Sequence, residues 1–359
     1  MRRWILILVA LAMAAAPARA EAPALPDYPM VRAGITFRFP ADHGAHPAFR
    51  TEWWYVTGWL RTKDGRDLGF QVTFFRHRPS IDQRNPSAFA PRQILFVHAA
   101  LSDPAVGKLL HDERAARAGF GVAEATTGDA HVRIRDWRLR RDKAGHFLTV
   151  IRARDFALAL TLRPTQPVFA QGENGYSRKG PRPAQASYYY SLPHLVVSGT
   201  VSRGGHRERV TGKAWLDREW SSSYLDPRAA GWDWIGLNLN DGSALLGFRI
   251  RGRAGGTLWA GGSLRRPTGE IVRLGPTDVT LTPHRRWRSP RTGARYPVEQ
   301  TLSVRLPEGT RRFRLLPLFD DQELDGRASG LPVYWEGAVR TTGGRGYLEL
   351  TGYVTPLRM

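Results

Sequence analysis

The sequence predicts an all-β protein, and composition, strand-like periodicity and turn signals all point to it. The 359 residues include 12 Trp, 15 Phe and 11 Tyr against 37 Gly and 25 Pro, so strand formers are broken repeatedly by turn formers. Runs rich in aromatic and β-branched residues recur at 53–60, 67–76, 93–101, 131–140, 148–153, 156–163, 195–201, 210–216, 232–238, 244–251, 301–306, 334–339 and 346–353. Turn signals separate them, among them Lys63-Asp64-Gly65, Asn240-Asp241-Gly242 and Thr342-Gly343-Gly344. Asp-Gly suits a tight hairpin because both central residues of a type I′ turn need positive φ. Only 103–118 has a periodicity that suits a short helix. Meanders of this length must deal with their edges, and closing into a barrel removes them. Eight or so strands then enclose either a packed interior or a small ligand cavity.

The first element is not a strand. Arg2 and Arg3 precede an apolar run from Trp4 to Ala16, and Ala18-Arg19-Ala20 is a small-x-small cleavage site. Residues 1–20 therefore read as an export signal, and the run is too short for a membrane span. The expected location is the periplasm. The net charge of +21 falls to +18 once Arg2, Arg3 and Arg19 are removed. Arginines are scattered and form no reading helix, so no nucleic-acid partner is expected. With no Cys, disulfide, zinc–thiolate, iron–sulfur and cysteine-nucleophile chemistry are excluded. No cofactor is expected, and His43, His46 and His77 show no metal-ligand spacing.

The length suggests two domains at about 150 residues each. A Trp-rich strand, an Asp-Gly turn and a returning Gly-Phe strand occur at 52–72 and again at 231–250. That repeat suggests two related barrels, at 21–222 and 223–359, with the break near Ser221-Ser222-Ser223 and Asp226-Pro227.

The segment Lys213-Ala214-Trp215-Leu216-Asp217-Arg218-Glu219-Trp220 is the main candidate for chemistry. In a strand, Trp215, Asp217 and Glu219 share one face. Two carboxylates beside an indole suit an acid site, because burial and a like-charged neighbour raise a carboxyl pKa until it can donate a proton. The same residues also suit a junction ion pair with Arg218. Tyr188 and Tyr190 share a face, and their hydroxyls suit either orienting an acid or packing in a core. Glu52 and Trp54 alternate with Trp53 and Tyr55, and one set is expected to line a cavity, as are Trp232 and Trp234. His194 follows a proline and reads as a turn residue, and 172–180 as a loop over a barrel mouth.

Glu52-Trp53-Trp54-Tyr55-Val56-Thr57-Gly58-Trp59-Leu60, Gly69 to Arg76, Lys179-Gly180, Tyr188 to Ser191, Ala214 to Trp220, Gly231 to Trp234 and Tyr334 to Val339 together carry a resemblance. In this order they resemble the lipocalin-like family of AttH proteins and carotenoid 1,2-hydratases. The resemblance implies two tandem lipocalin-like barrels packed together. It implies Asp217 as the acid that protonates an alkene, with Trp215 and Tyr190 as its partners, and Glu219, on the same strand face as Asp217, is a further catalytic candidate. Trp215, Tyr188, Glu52, Trp54, Trp232 and Trp234 would then form the ligand pocket. The export signal fits the AttH branch, often encoded beside membrane permeases. The expected function is binding of a lipid or isoprenoid ligand, with hydration or hydrolysis by Asp217. The alternative is a non-enzymatic lipid carrier serving an export permease. N-terminal sequencing of the protein from an envelope fraction is expected to start at Glu21.

Overall fold

The computed structural model describes residues 25–82, 84–223 and 225–357; residues 1–20, read above as an export signal, lie outside them. The first sheet contains β1 (Thr51–Thr62), β2 (Asp67–His77), β3 (Ile94–Ser102), β4 (Leu109–Arg117), β5 (Ala123–Ala125), β6 (His131–Ile134) and β7 (Trp137–Arg141). It continues with β8 (Phe147–Arg152), β9 (Phe156–Arg163), β10 (Phe169–Ala170), β11 (Tyr176–Arg178), β12 (Ala186–Arg203) and β13 (His206–Ser221). The second contains β14 (Ala229–Leu239), β15 (Ala244–Gly252), β16 (Thr257–Arg265), β17 (Ile271–Leu274), β18 (Val279–Arg288) and β19 (Arg295–Leu306). Its last strands are β20 (Gly309–Pro317), β21 (Glu323–Asp325), β22 (Val333–Thr341) and β23 (Gly344–Thr351). The fold is all-β, as the strand periodicity requires.

Both sheets are antiparallel meanders wound into barrels, and in each the first strand pairs with the last, β1 with β13 and β14 with β23. In the first, the β4–β5 connection is bridged by Gly119 and Ala123, which brings the two ends of the strand order together. The segment expected as a helix, 103–118, is instead mostly β4, because its backbone groups pair with β3 along its whole length. Sheet pairing overrides a weak local helical pattern.

Alternation sorts the side chains. On β1, Trp54, Val56 and Leu60 point into the first barrel, where they join Phe70, Phe74, Trp137, Leu162 and Leu216 in one apolar core. On β14, Ile235, Leu237 and Leu239 point into the second barrel, among Tyr296, Leu302, Trp335 and Leu348. Apolar side chains pack the interior of each barrel, and the cavity described below lies outside both. The opposite faces of the same strands meet between the barrels, in a third cluster that includes Tyr55, Trp59, Tyr189, Trp215, Trp234, Phe248 and Tyr347. Polar clasps cross this layer, including Trp59 Nε1 to Gly346 O at 2.9 Å and Arg345 to Asp67 at 2.9 Å.

His194 is not in a turn. It sits within β12 at φ +54°, where the register with β13 slips between Leu192 and Leu195. This bulge switches which alternate residues face inward, so Tyr190 and Leu192 before it and Leu195 and Val197 after it all reach the first core. His194 itself is buried and bonds Ser243 O at 2.9 Å.

The first barrel is closed at one end by a buried charge network. Glu52 is ion-paired with Arg76 and, at 2.7 Å, with Arg218, whose guanidinium lies 3.8 Å from the Trp54 ring centre. Burial alone would raise the Glu52 pKa, but Arg218 and Arg76 override it and hold the carboxyl well below its ordinary range. A depressed carboxylate stabilises the fold above its unfolded pKa and loses that contribution as pH falls. Arg218→Met is expected to destabilise the protein by about 3–5 kcal/mol in denaturant unfolding, because it leaves a buried charge short of a partner. A loss under about 1 kcal/mol would refute this account.

Candidate active site

Strands β1, β12 and β13 run side by side through the interlayer, and their register decides which side chains meet. Tyr55 and Ser191 both stand opposite Asp217, and Trp53 and Tyr189 opposite Glu219. Directly opposed residues share a face. Asp217, Glu219, Trp53, Tyr55 and Tyr189 therefore look out of the first barrel together. From the second sheet, Trp232, Trp234, Phe248, Glu336 and Glu349 look back at them. The result is a cavity of about 90 Å³ between the sheets, whose walls also include Thr73, Phe75, Lys179, Ile250 and Tyr334.

Asp217 is buried and accepts three hydrogen bonds: from Tyr189 Oη at 2.6 Å, Ser191 Oγ at 2.5 Å and Trp215 Nε1 at 2.6 Å. These donors favour the ionised form, yet burial outweighs them and raises the pKa to about 7. Tyr189 is fixed in turn by Trp234 Nε1, at 2.9 Å from its oxygen. Glu219 accepts from Ser187 and pairs with Lys179 Nζ at 3.2 Å. The Lys179 ammonium lies 4.5 Å from the Tyr189 ring centre and 4.4 Å from that of Phe248. Burial lowers its pKa, and Glu219 opposes that.

The second sheet adds two more carboxyls. Glu336 and Glu349 are directly paired in the β22–β23 register. Tyr55 donates to Glu336, whose pKa burial raises well above the ordinary range, with Glu349 adding to the rise. Glu349 is raised to about 8, chiefly by burial. Behind Tyr334, His98 Nδ1 lies 2.6 Å from the tyrosine oxygen, and burial lowers the His98 pKa to about 3, so the ring is neutral. The arrangement thus offers carboxyl groups that keep their protons at neutral pH, set among aromatic rings. No group of three His, Asp or Glu among the described residues has metal-binding geometry.

Of the residues singled out in the sequence, Asp217, Glu219, Trp232 and Trp234 line this cavity, and Trp215 holds Asp217 from its edge. Four others do not reach it. Tyr190 stands opposite Arg218, on the inward face, and bonds His43 Nδ1 at 2.7 Å in the first barrel's core. Tyr188 lies opposite Trp220, packed against Phe49 and bonded by the Arg32 amide at 3.1 Å. Glu52 and Trp54 belong to the buried charge network on the inward face of β1. The correction is one of strand parity: on β1 and β12 the odd-numbered neighbours Trp53, Tyr55 and Tyr189 face the cavity. Lys179, Glu336 and Glu349 were missed. A lone Glu between Leu348 and Leu350, following Tyr347 in an apolar stretch, was the available signal for Glu349.

With this geometry established, the relatives can be placed. The profile of the AttH-like family matches residues 30–353. The crystal structure of an AttH-type protein from Nitrosomonas europaea shares 54% identity at a TM-score of 0.84, covering 91% of this chain and 99% of that one. The chain belongs to the AttH-like family. Kievitone hydratase from Nectria haematococca has the same fold at 14% identity and a TM-score of 0.66, over 93% of this chain and 98% of its own. CghA, in a structure with Sch210972, is similar at 13% identity and a TM-score of 0.51, over 84% of this chain and 88% of its own. The AttH-like chain therefore shares a hydratase-like fold. No protein of curated function matches its sequence.

The acid site should cost the fold stability. A carboxyl raised to about 7 in the folded state holds its proton more tightly there than in the unfolded chain. Stability then falls as pH rises from about 4 to 7. Asp217→Asn, which cannot ionise, is expected to be more stable than wild type at pH 8, by up to about 4 kcal/mol. The two should converge at pH 4, as measured by thermal or denaturant unfolding.

Proposed function

We propose that the AttH-like chain binds an apolar, isoprenoid-type ligand between its barrels and adds or removes water across a carbon–carbon double bond. The observation that supports this most is Asp217, a buried carboxyl held by three donors on an aromatic-walled cavity, where burial raises its pKa to about 7. Protonation of an alkene by a carboxylic acid leaves a tertiary cation, and indole and phenol faces stabilise such a charge. Asp217, once ionised, lies beside the cation and accepts a proton back in the reverse direction. The new C–O bond forms from water, whose proton passes to the Asp217 carboxylate and regenerates the acid; the paired carboxyls Glu336 and Glu349 on the opposite wall, protonated at neutral pH, are placed to hold that water by hydrogen bonds. The Lys179–Glu219 pair, at 3.2 Å, supplies a fixed dipole beside the acid.

Periplasmic export through residues 1–20 remains part of this proposal, as does delivery of the ligand to or from a membrane permease. A carrier without catalysis needs the cavity but not the acid, so one substitution separates the two.

The test uses a panel of isoprenoid alkenes and tertiary alcohols in ¹⁸O-labelled water, with label incorporation followed by mass spectrometry. Wild type is expected to incorporate label, with a rate that falls above pH 7 as Asp217 loses its proton. Asp217→Asn is expected to lose about 10²–10⁴-fold while still binding the same molecules. Undiminished incorporation by the variant would overturn Asp217 as the acid, and binding without incorporation by wild type would leave the carrier reading in its place.

A further inference from the structure

The acid cavity is one length of a longer cleft. On β1, residues 53 and 55 line the cavity, and residues 57, 59 and 61 of the same face line a second space. On β13, residues 219 and 217 line the cavity, and 215, 213 and 211 continue into that second space. Alternation puts each set on one face of its strand. The two spaces are therefore consecutive along the interlayer. The second is a groove of about 560 Å³, against about 90 Å³ for the cavity.

An aromatic partition separates them. The Trp215 and Trp234 rings meet edge to face at 6.3 Å, and Trp234 meets Tyr55 in the same way at 5.2 Å. Gly236 makes room for this stack: a Cβ there would lie 2.6 Å from the Trp234 ring and 3.3 Å from that of Trp215. The groove side of the partition is apolar, with Trp59, Trp215 and Tyr347 in its wall. The far end is cationic, with Arg61, Lys213 and Arg345. Asp67 pairs with both arginines, at 3.3 and 2.9 Å. Lys213 is exposed, and its ammonium has no ion pair or hydrogen bond among the described residues. It lies four residue steps along the strand from Asp217, about 13 Å.

We propose that the groove holds an elongated anionic amphiphile, with its carboxylate or phosphate end at Lys213 and its apolar chain running along Trp59 and Tyr347 to the partition at Trp215. This rests on the reading that the interlayer takes an apolar ligand, and it adds the charge, polarity and direction of that ligand. It also accounts for size: the cavity alone is too small for a long chain, whereas the groove lies within the range of small-molecule sites. A net charge of +21 on the whole chain favours approach of an anion.

Calorimetric titrations with dodecanoate, dodecyl phosphate and dodecanol, kept below their aggregation limits, test the proposal. Both anions are expected to bind one per chain, about tenfold or more tighter than dodecanol, with affinity falling as salt is added. A preference between the two anions distinguishes a carboxylate from a phosphate end. Lys213→Ala is expected to remove the advantage of the anions, Lys213→Glu to reverse it, and neither to alter dodecanol binding. Thr211→Trp, at an exposed position in the groove wall, is expected to weaken all three. Dodecanol binding as tightly as dodecanoate, or anion affinity indifferent to Lys213, overturns the anionic assignment while leaving an apolar ligand in place. Absence of binding by all three probes overturns the groove as a ligand site. The labelled-water experiment judges the acid chemistry independently of either result.

Discussion

Strands β1, β12 and β13 are buried on both faces over much of their length, and that constraint shapes the rest of the molecule. A polar side chain on such a strand has no water to turn to, so protein groups must satisfy it. The inward face meets the demand with opposite charges. Glu52 is enclosed by Arg76 and Arg218, and its carboxylate stays ionised. The outward face meets it with neutral donors. Asp217 receives a phenol, a hydroxyl and an indole but no guanidinium, and burial prevails. Two carboxyls on adjacent strands, three residues from a shared register pair, thus end with pKa values on opposite sides of the ordinary range.

The second barrel completes what the first begins. Trp234 fixes Tyr189, which fixes Asp217, and Tyr55 reaches across to Glu336. Every one of these bonds crosses or lines the interlayer. Docking of the two barrels is therefore what excludes water from the acid and what sets its proton affinity. A single barrel of this type, with its core filled by Trp54, Phe70, Phe74 and Trp137, would carry Asp217 on an open surface. Packing two barrels together forms a cavity that neither sheet encloses alone, because the outer faces are the surfaces brought together. Family membership and the hydratase-like fold agree with such a site but do not name its reaction, since one fold supports unrelated chemistries.

Much of this was legible in the sequence. Aromatic and β-branched runs punctuated by Asp-Gly turns gave the strands, and the repeated Trp-rich openings gave the two sheets. Asp217 and Glu219 stood out because alternation puts two carboxylates and an indole on one strand face, a pattern that suits either an acid site or a junction ion pair. The helix expected near 103–118 failed because β3 offered β4 a partner along its entire length, a tertiary gain that local periodicity does not register. Tyr190 and Tyr188 were preferred over Tyr189 because alternation within a strand says which residues share a face but not which face looks inward.

The sequence alone determined the fold class and the family and placed Asp217 and Glu219 on one strand face, because strand periodicity, turn chemistry and residue type are local properties. Only the tertiary structure decided that the cavity lies between the barrels, that Tyr189, Lys179, Glu336 and Glu349 line it, and that it continues into a groove ending at Lys213. Those facts depend on register across strands distant in sequence and on which outer faces dock. A bulge at His194 is enough to exchange the faces of a strand, and no single segment specifies the partner that lies across the interlayer.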